Sequence, residues 1–147
     1  MLIKSLGFLL CVNILFIGLT YLRLYSKRKQ IGLHLGMSIA NLSGGFVAII
    51  TGIILIYQFP LKFVIITIIT TFVGMLIGGL FGGLFNHQAL LTGFINGLMM
   101  GIMAPMIGAA AQNSFIFLAF LELIFFLNMF LLVFAAKYGR REEMNGD

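Results

Sequence analysis

Apolar residues run along this chain in five long stretches, each bounded by a short polar or proline-containing break. A hydrocarbon core about 30 Å thick needs about 20 residues of helix to cross it. The first run covers 2–22 and is interrupted only by Lys4, Ser5, Asn13 and Thr20. The second covers about 31–57 and the third 61–85. Gln58-Phe59-Pro60 divides these two, since proline ends or kinks a helix and restricts the residue before it. The fourth covers about 88–111 and the fifth 115–136, with Ala111-Gln112-Asn113-Ser114 as the polar break. The pattern predicts an all-α integral membrane protein: one transmembrane domain of five helices, followed by a basic tail over 137–147. A four-helix form arises if the first run is removed as a signal peptide. Only Lys4 supplies a positive amino-terminal flank, and no small-x-small cleavage site follows, so the run is read as retained.

Composition agrees with the pattern. Of 147 residues, 61% are hydrophobic and 9% charged, with a mean hydropathy of +1.14. A soluble domain carries about a quarter charged residues, so this chain lacks the polar surface for water. That excludes a soluble enzyme, a disulfide scaffold and a disordered chain. A net charge of +5 would point to nucleic acid in a soluble protein. Here the basic residues gather at segment ends, so no nucleic-acid partner is expected and the bilayer itself is the partner. Arg23, Lys27, Arg28, Lys29, Lys137, Arg140 and Arg141 fall on one side after five crossings, leaving Lys4 and Lys62 on the other. The positive-inside bias therefore predicts the N-terminus outside and the C-terminus inside. The single cysteine, Cys11, has no second thiol to pair with.

Eighteen glycines in helical sequence need a reason, because each costs about 1 kcal/mol relative to alanine in a soluble helix. Their spacing supplies one. Gly32, Gly36, Ala40, Gly44, Ala48 and Gly52 recur every fourth residue in the second helix. Gly74, Gly78 and Gly82 do so in the third, with a parallel row at Gly79 and Gly83. Ala89, Gly93, Gly97 and Gly101 do so in the fourth, and the row continues to Pro105 and Ala109. Such small-xxx-small stripes let helix backbones approach closely in a solvent as apolar as their side chains. Helices two to four are expected to form one compact core. The second and fourth stripes also superpose when displaced by 53 residues, which sets His34 on His87 and Gly44 on Gly97. Either a duplicated hairpin or the shared demands of tight packing explains that match. The fifth helix is bulky instead, with Phe115, Phe117, Phe120, Phe125, Phe126, Phe130 and Phe134. These rings either fill glycine grooves or face lipid.

Glu122 is the one acidic residue inside a predicted span. A membrane-embedded carboxylate is costly, so it should face the bundle interior, carry a proton or meet a donor. It is the candidate proton or cation relay, set against a plain interhelical hydrogen bond. His34, Met37 and His87 lie near the cytoplasmic ends of helices two and four and are candidate soft-metal ligands. The alternative is interfacial histidines bonded to headgroups. Met99, Met103 and Met106 share a face opposite the glycine stripe, where methionine also serves as adaptable packing. Asn41, Ser43, Asn86, Gln88, Asn96 and Asn128 are expected to hydrogen-bond between helices. Pro105 frees a backbone carbonyl around Gly101, a kink or an ion-coordinating point. No HExxH, GxSxG, Walker or CxxC motif is present, so neither catalysis nor a cofactor is expected.

The run Gly78-Gly79-Leu80-Phe81-Gly82-Gly83, with Gly93 to Gly101 and then Met103-Ala104-Pro105-Met106-Ile107-Gly108, resembles small Gly/Met-rich multi-pass membrane proteins of Gram-positive bacteria, whose function is uncharacterised. The likeness covers roughly 33–110, and this chain has fewer Gly-Met clusters than that group. It implies a bacterial plasma membrane and carries no activity with it. The expectation is a non-enzymatic accessory or assembly subunit of a larger membrane complex, in contact with other subunits or with copies of itself. The rival is a small oligomeric cation or soft-metal transporter built on Glu122.

Overall fold

A computed structural model of the chain describes residues 1–145 and consists of five long helices: α1 (Leu2–Lys27), α2 (Leu33–Gln58), α3 (Phe63–Gly83), α4 (His87–Ala110) and α5 (Phe115–Asn145). All five contain a stretch long and apolar enough to cross a membrane. The chain is an all-helical, multi-pass membrane protein. α1 continues past the end of its apolar run through Arg23 to Lys27, and α5 continues past Ala136 to Asn145. Arginine, lysine and glutamate are good helix formers, so hydropathy marks the lipid-length segment while the helix runs on beyond it. The last residues of the basic tail, 146–147, lie outside the described residues, as do the side chains of Arg140 and Arg141.

The helix ends follow local chemistry. α2 stops two residues before Pro60, where the proline ring disfavours helical backbone in the residue preceding it. Asn86 caps α4 in extended backbone, its side-chain oxygen accepting the His87 N–H at 2.7 Å. Between α4 and α5 the chain reverses through Gln112 and Asn113, both in the left-handed region (φ 50° and 59°). Asparagine tolerates that region better than most residues. Tyr57 at the end of α2 donates its hydroxyl to the Ser114 carbonyl (3.5 Å), tying this turn to the bundle.

α2, α3 and α4 share the densest contacts, and α2 is the most enclosed helix, with 67% of its most apolar stretch buried. Glycine positions set their register. Between α3 and α4, Gly82 meets Ala89, Gly78 meets Gly93, Gly74 meets Gly97, and Gly101 meets Thr70 and Thr71. The pairs move in opposite directions along the two helices, so α3 and α4 are antiparallel. A Cβ built on Gly44 of α2 would stand 2.7 Å from the Gly78 Cα and 3.0 Å from the Gly93 oxygen. One on Gly74 would strike the Ala48 Cβ at 2.8 Å, and Gly52 faces Ala104 and Thr70. Gly36, near the start of α2, accommodates the Phe85 ring 2.8 Å from where its own Cβ would be. The Gly79 and Gly83 row differs: Gly79 has only the Phe94 ring edge at 3.9 Å, and Gly83 only the Leu90 side chain at 3.4 Å.

Two polar contacts lock this core. Proline has no N–H, so Pro105 leaves the Gly101 carbonyl without its helical donor. Thr70 of α3 supplies the replacement, its hydroxyl lying 2.8 Å from the Gly101 oxygen and fully buried. α4 accordingly continues as helix through Pro105. Nearby, Gly45 leaves room for the Asn96 amide, which donates to the Asn41 carbonyl at 2.6 Å across α4 and α2. The expected interhelical role belongs to Asn96 but not to its companions. Ser43 and Asn128 donate to carbonyls of their own helices, Asn86 caps, and Gln88 contributes its carbonyl to Thr92. Short polar side chains on a helix reach the preceding turn more readily than a neighbouring helix.

α1 and α5 form an outer pair. Asn13 bonds Glu122, Phe16 packs edge-to-face on Phe126 at 5.3 Å, and Arg23, Leu24 and Lys27 share a notch with Val133 and Ala136. Those pairs advance together, so the two helices run parallel and place Lys27 and Lys137 at the same end. α5 buries one stripe, Leu118, Glu122, Phe125, Met129, Leu132 and Ala136, partly against α2. Its remaining rings at Phe115, Phe120, Phe126, Phe130 and Phe134 are exposed rather than seated in glycine grooves.

Candidate functional site

Asn13 stands on the inward stripe of α1, between Leu6 and Ile17, and Glu122 takes the equivalent place on α5. Both side chains are enclosed, with relative exposures of 4% and 9%. The Asn13 Nδ2 donates to the Glu122 Oε1 at 2.8 Å. One oxygen on each partner, Asn13 Oδ1 and Glu122 Oε2, is buried without a hydrogen-bond partner among the described residues. A buried polar atom left unpaired costs about 1–3 kcal/mol, so among the described residues this pair of oxygens stands out chemically.

The arrangement has a definite chemical capacity. An amide and a carboxyl can pair reciprocally, with the amide N–H donating to one carboxyl oxygen and a carboxyl O–H donating to the amide oxygen. In such a pairing a protonated Glu122 would offer its O–H to the Asn13 oxygen that is otherwise unpaired. The same two acceptors are too few to replace the shell of six or more oxygens that a hard cation takes. Around the pair the helix faces are apolar: Phe125 and Met129 are fully buried, and the Phe16 and Phe126 rings cover the next turn.

The remaining candidates are scattered. His34 and His87 are exposed near the first turns of α2 and α4, and Met37 is half-buried. Among the described residues no group of three or more His, Cys, Asp or Glu side chains could hold a metal ion. Met99, Met103 and Met106 are exposed on the outer face of α4. The Gly101 carbonyl is occupied by Thr70. Glu122, expected to face the interior, carry a proton or meet a donor, is bonded by Asn13, which in the sequence reads only as a gap in an apolar run. Leu6, Asn13, Ile17, Thr20 and Leu24 form one buried face of α1, but the helix is apolar all round in sequence, so spacing alone does not single that face out.

The comparisons add no relative: no family model, no curated protein and no solved structure matches this chain.

Proposed function

We propose that this protein is a non-enzymatic scaffold of the bacterial plasma membrane, an accessory or assembly subunit whose rigid core supports a partner in the bilayer. The N-terminus lies outside and the C-terminus inside. The single observation that carries this reading is the packing of α2, α3 and α4, whose glycine stripes bring backbone against backbone at Gly44, Gly78 and Gly93. Helices this close enclose no lumen, and hydrogen bonds from Thr70 and Asn96 fix them to each other. Such a core suits holding a shape. The bulky Phe and Met faces of α5 and α4 then offer side chains for van der Waals packing against a partner's helices. The orientation is supported by the parallel run of α1 and α5, which sets Arg23, Lys27 and Lys137 at one end in keeping with a positively charged inner face.

A second reading has its own observation. The unpartnered Glu122 and Asn13 oxygens favour a proton-handling site, and the rival function is cation or proton transport by an oligomer. Photo-cross-linking in native membranes separates the two. A cross-linking residue at exposed Met103 is expected to give one discrete adduct with a different polypeptide. Adducts only between copies of this chain would overturn the accessory-subunit reading.

A further inference from the structure

A groove of about 530 Å³ runs along the seam of α1 and α5, walled by Phe16, Leu123, Leu127, Phe130 and Val133, with Arg23 at its end. Arg23 also lines a smaller, more polar notch with Lys27, Val133 and Ala136. Because Arg23 and Val133 line both, groove and notch adjoin, and together they make a cleft that is greasy for most of its length and basic at one end. From Leu123 to Val133 the α5 wall is about 15 Å long at 1.5 Å per residue, half of a hydrocarbon core of about 30 Å. The cleft is therefore as deep as one leaflet.

We infer that this cleft binds a single anionic glycerophospholipid, its acyl chain along the α1–α5 groove and its phosphate between Arg23 and Lys27. Charge argues for the anionic headgroup. Among the described residues neither cation has an ion-pair or hydrogen-bond partner, whereas neighbouring Arg28 is laid over the Tyr25 ring at 4.5 Å. Lys27 is half-buried, which keeps its side chain at the polar end of the cleft, within the notch it shares with Arg23. The Arg23 guanidinium offers the planar fork that matches phosphate oxygens. A zwitterionic headgroup carries its own cation and competes poorly for this place. Basic clefts between membrane helices on the inner side are suited to such lipids, and the bound chain would bridge the outer helix pair where few side chains join it.

Native mass spectrometry of the purified full chain tests this, using equal amounts of phosphatidylglycerol and phosphatidylcholine with identical acyl chains in a maltoside detergent. The wild type is expected to retain phosphatidylglycerol about thirtyfold better, the ratio that two headgroup contacts at about 1 kcal/mol each would give. The double substitution Arg23→Gln with Lys27→Gln should reduce that preference to less than twofold. Removing the same charge at the opposite end, Lys4→Gln with Lys62→Gln, should leave it intact. Val133→Trp keeps both cations but fills the groove, and should lower retention of both lipids, which keeps the test decisive even if the charge variant unfolds. Equal retention of the two lipids by the wild type overturns the inference. So does an unchanged preference in the Arg23/Lys27 variant, an equal loss in the Lys4/Lys62 control, or undiminished binding in Val133→Trp.

Discussion

Gly78→Ala is expected to destabilise the bundle by about 3 kcal/mol, while Gly79→Ala, one residue along the same helix, leaves stability unchanged or slightly raised. The added methyl at position 78 would enter the Gly93 peptide and come within 3.3 Å of the Gly44 Cα. Backbone cannot rotate away as a side chain can, so α3 and α4 must separate and lose van der Waals contact along their whole stripe. Overpacking of that kind costs about 1–3 kcal/mol and occasionally more. At position 79 the nearest atom is the edge of the Phe94 ring at 3.9 Å, an ordinary contact, and alanine is the better helix former by about 1 kcal/mol. Thermal or denaturant unfolding in one detergent checks the pair. Equal losses at the two positions would mean that close backbone approach is not what the glycines provide.

The second large effect is expected at the α1–α5 clasp. Glu122→Leu strands the Asn13 amide in an apolar seam, and Asn13→Leu strands the carboxyl. Each single change should cost about 1–3 kcal/mol, the penalty for a buried polar group without its partner. The double change should recover most of that loss, because two leucines in a buried seam leave nothing unsatisfied. A double-mutant cycle measured by unfolding reads the coupling directly. Additive losses would show that Asn13 and Glu122 act independently. α1 makes few contacts with the rest of the bundle, so the single variants should loosen α1 first, seen as faster hydrogen exchange there with α2 to α4 still protected.

These two sites also show which parts of the structure can be read in one dimension. The five spans are legible because hydrocarbon tolerates little else: a lipid-length helix must be a predominantly apolar run, and Pro60 or the Ala111–Ser114 break announces its end. Glu122 is legible as an anomaly because a carboxyl in such a run demands an explanation. Its partner is not, since an asparagine in an apolar helix looks the same whether it faces lipid, its own preceding turn or another helix. Asn13 and Asn96 reach across to other helices, while Asn128 bonds within α5. The role of Thr70 is hidden for the same reason. Pro105 reveals that the Gly101 carbonyl lacks a donor, but only the α3–α4 register brings Thr70 to it. The two glycine rows of α3 have identical spacing in sequence, yet Gly78 meets backbone and Gly79 meets nearly open space. Helix rotation decides between them, and rotation is a property of the packed bundle.

If the glycine-packed bundle holds a shape in the membrane, as proposed, it conducts nothing. The decisive measurement is cation and proton flux into liposomes carrying the purified protein, with the Glu122→Gln variant alongside. Wild type and variant are both expected to be indistinguishable from empty liposomes; a saturable flux in the wild type that Glu122→Gln abolishes would contradict the scaffold reading.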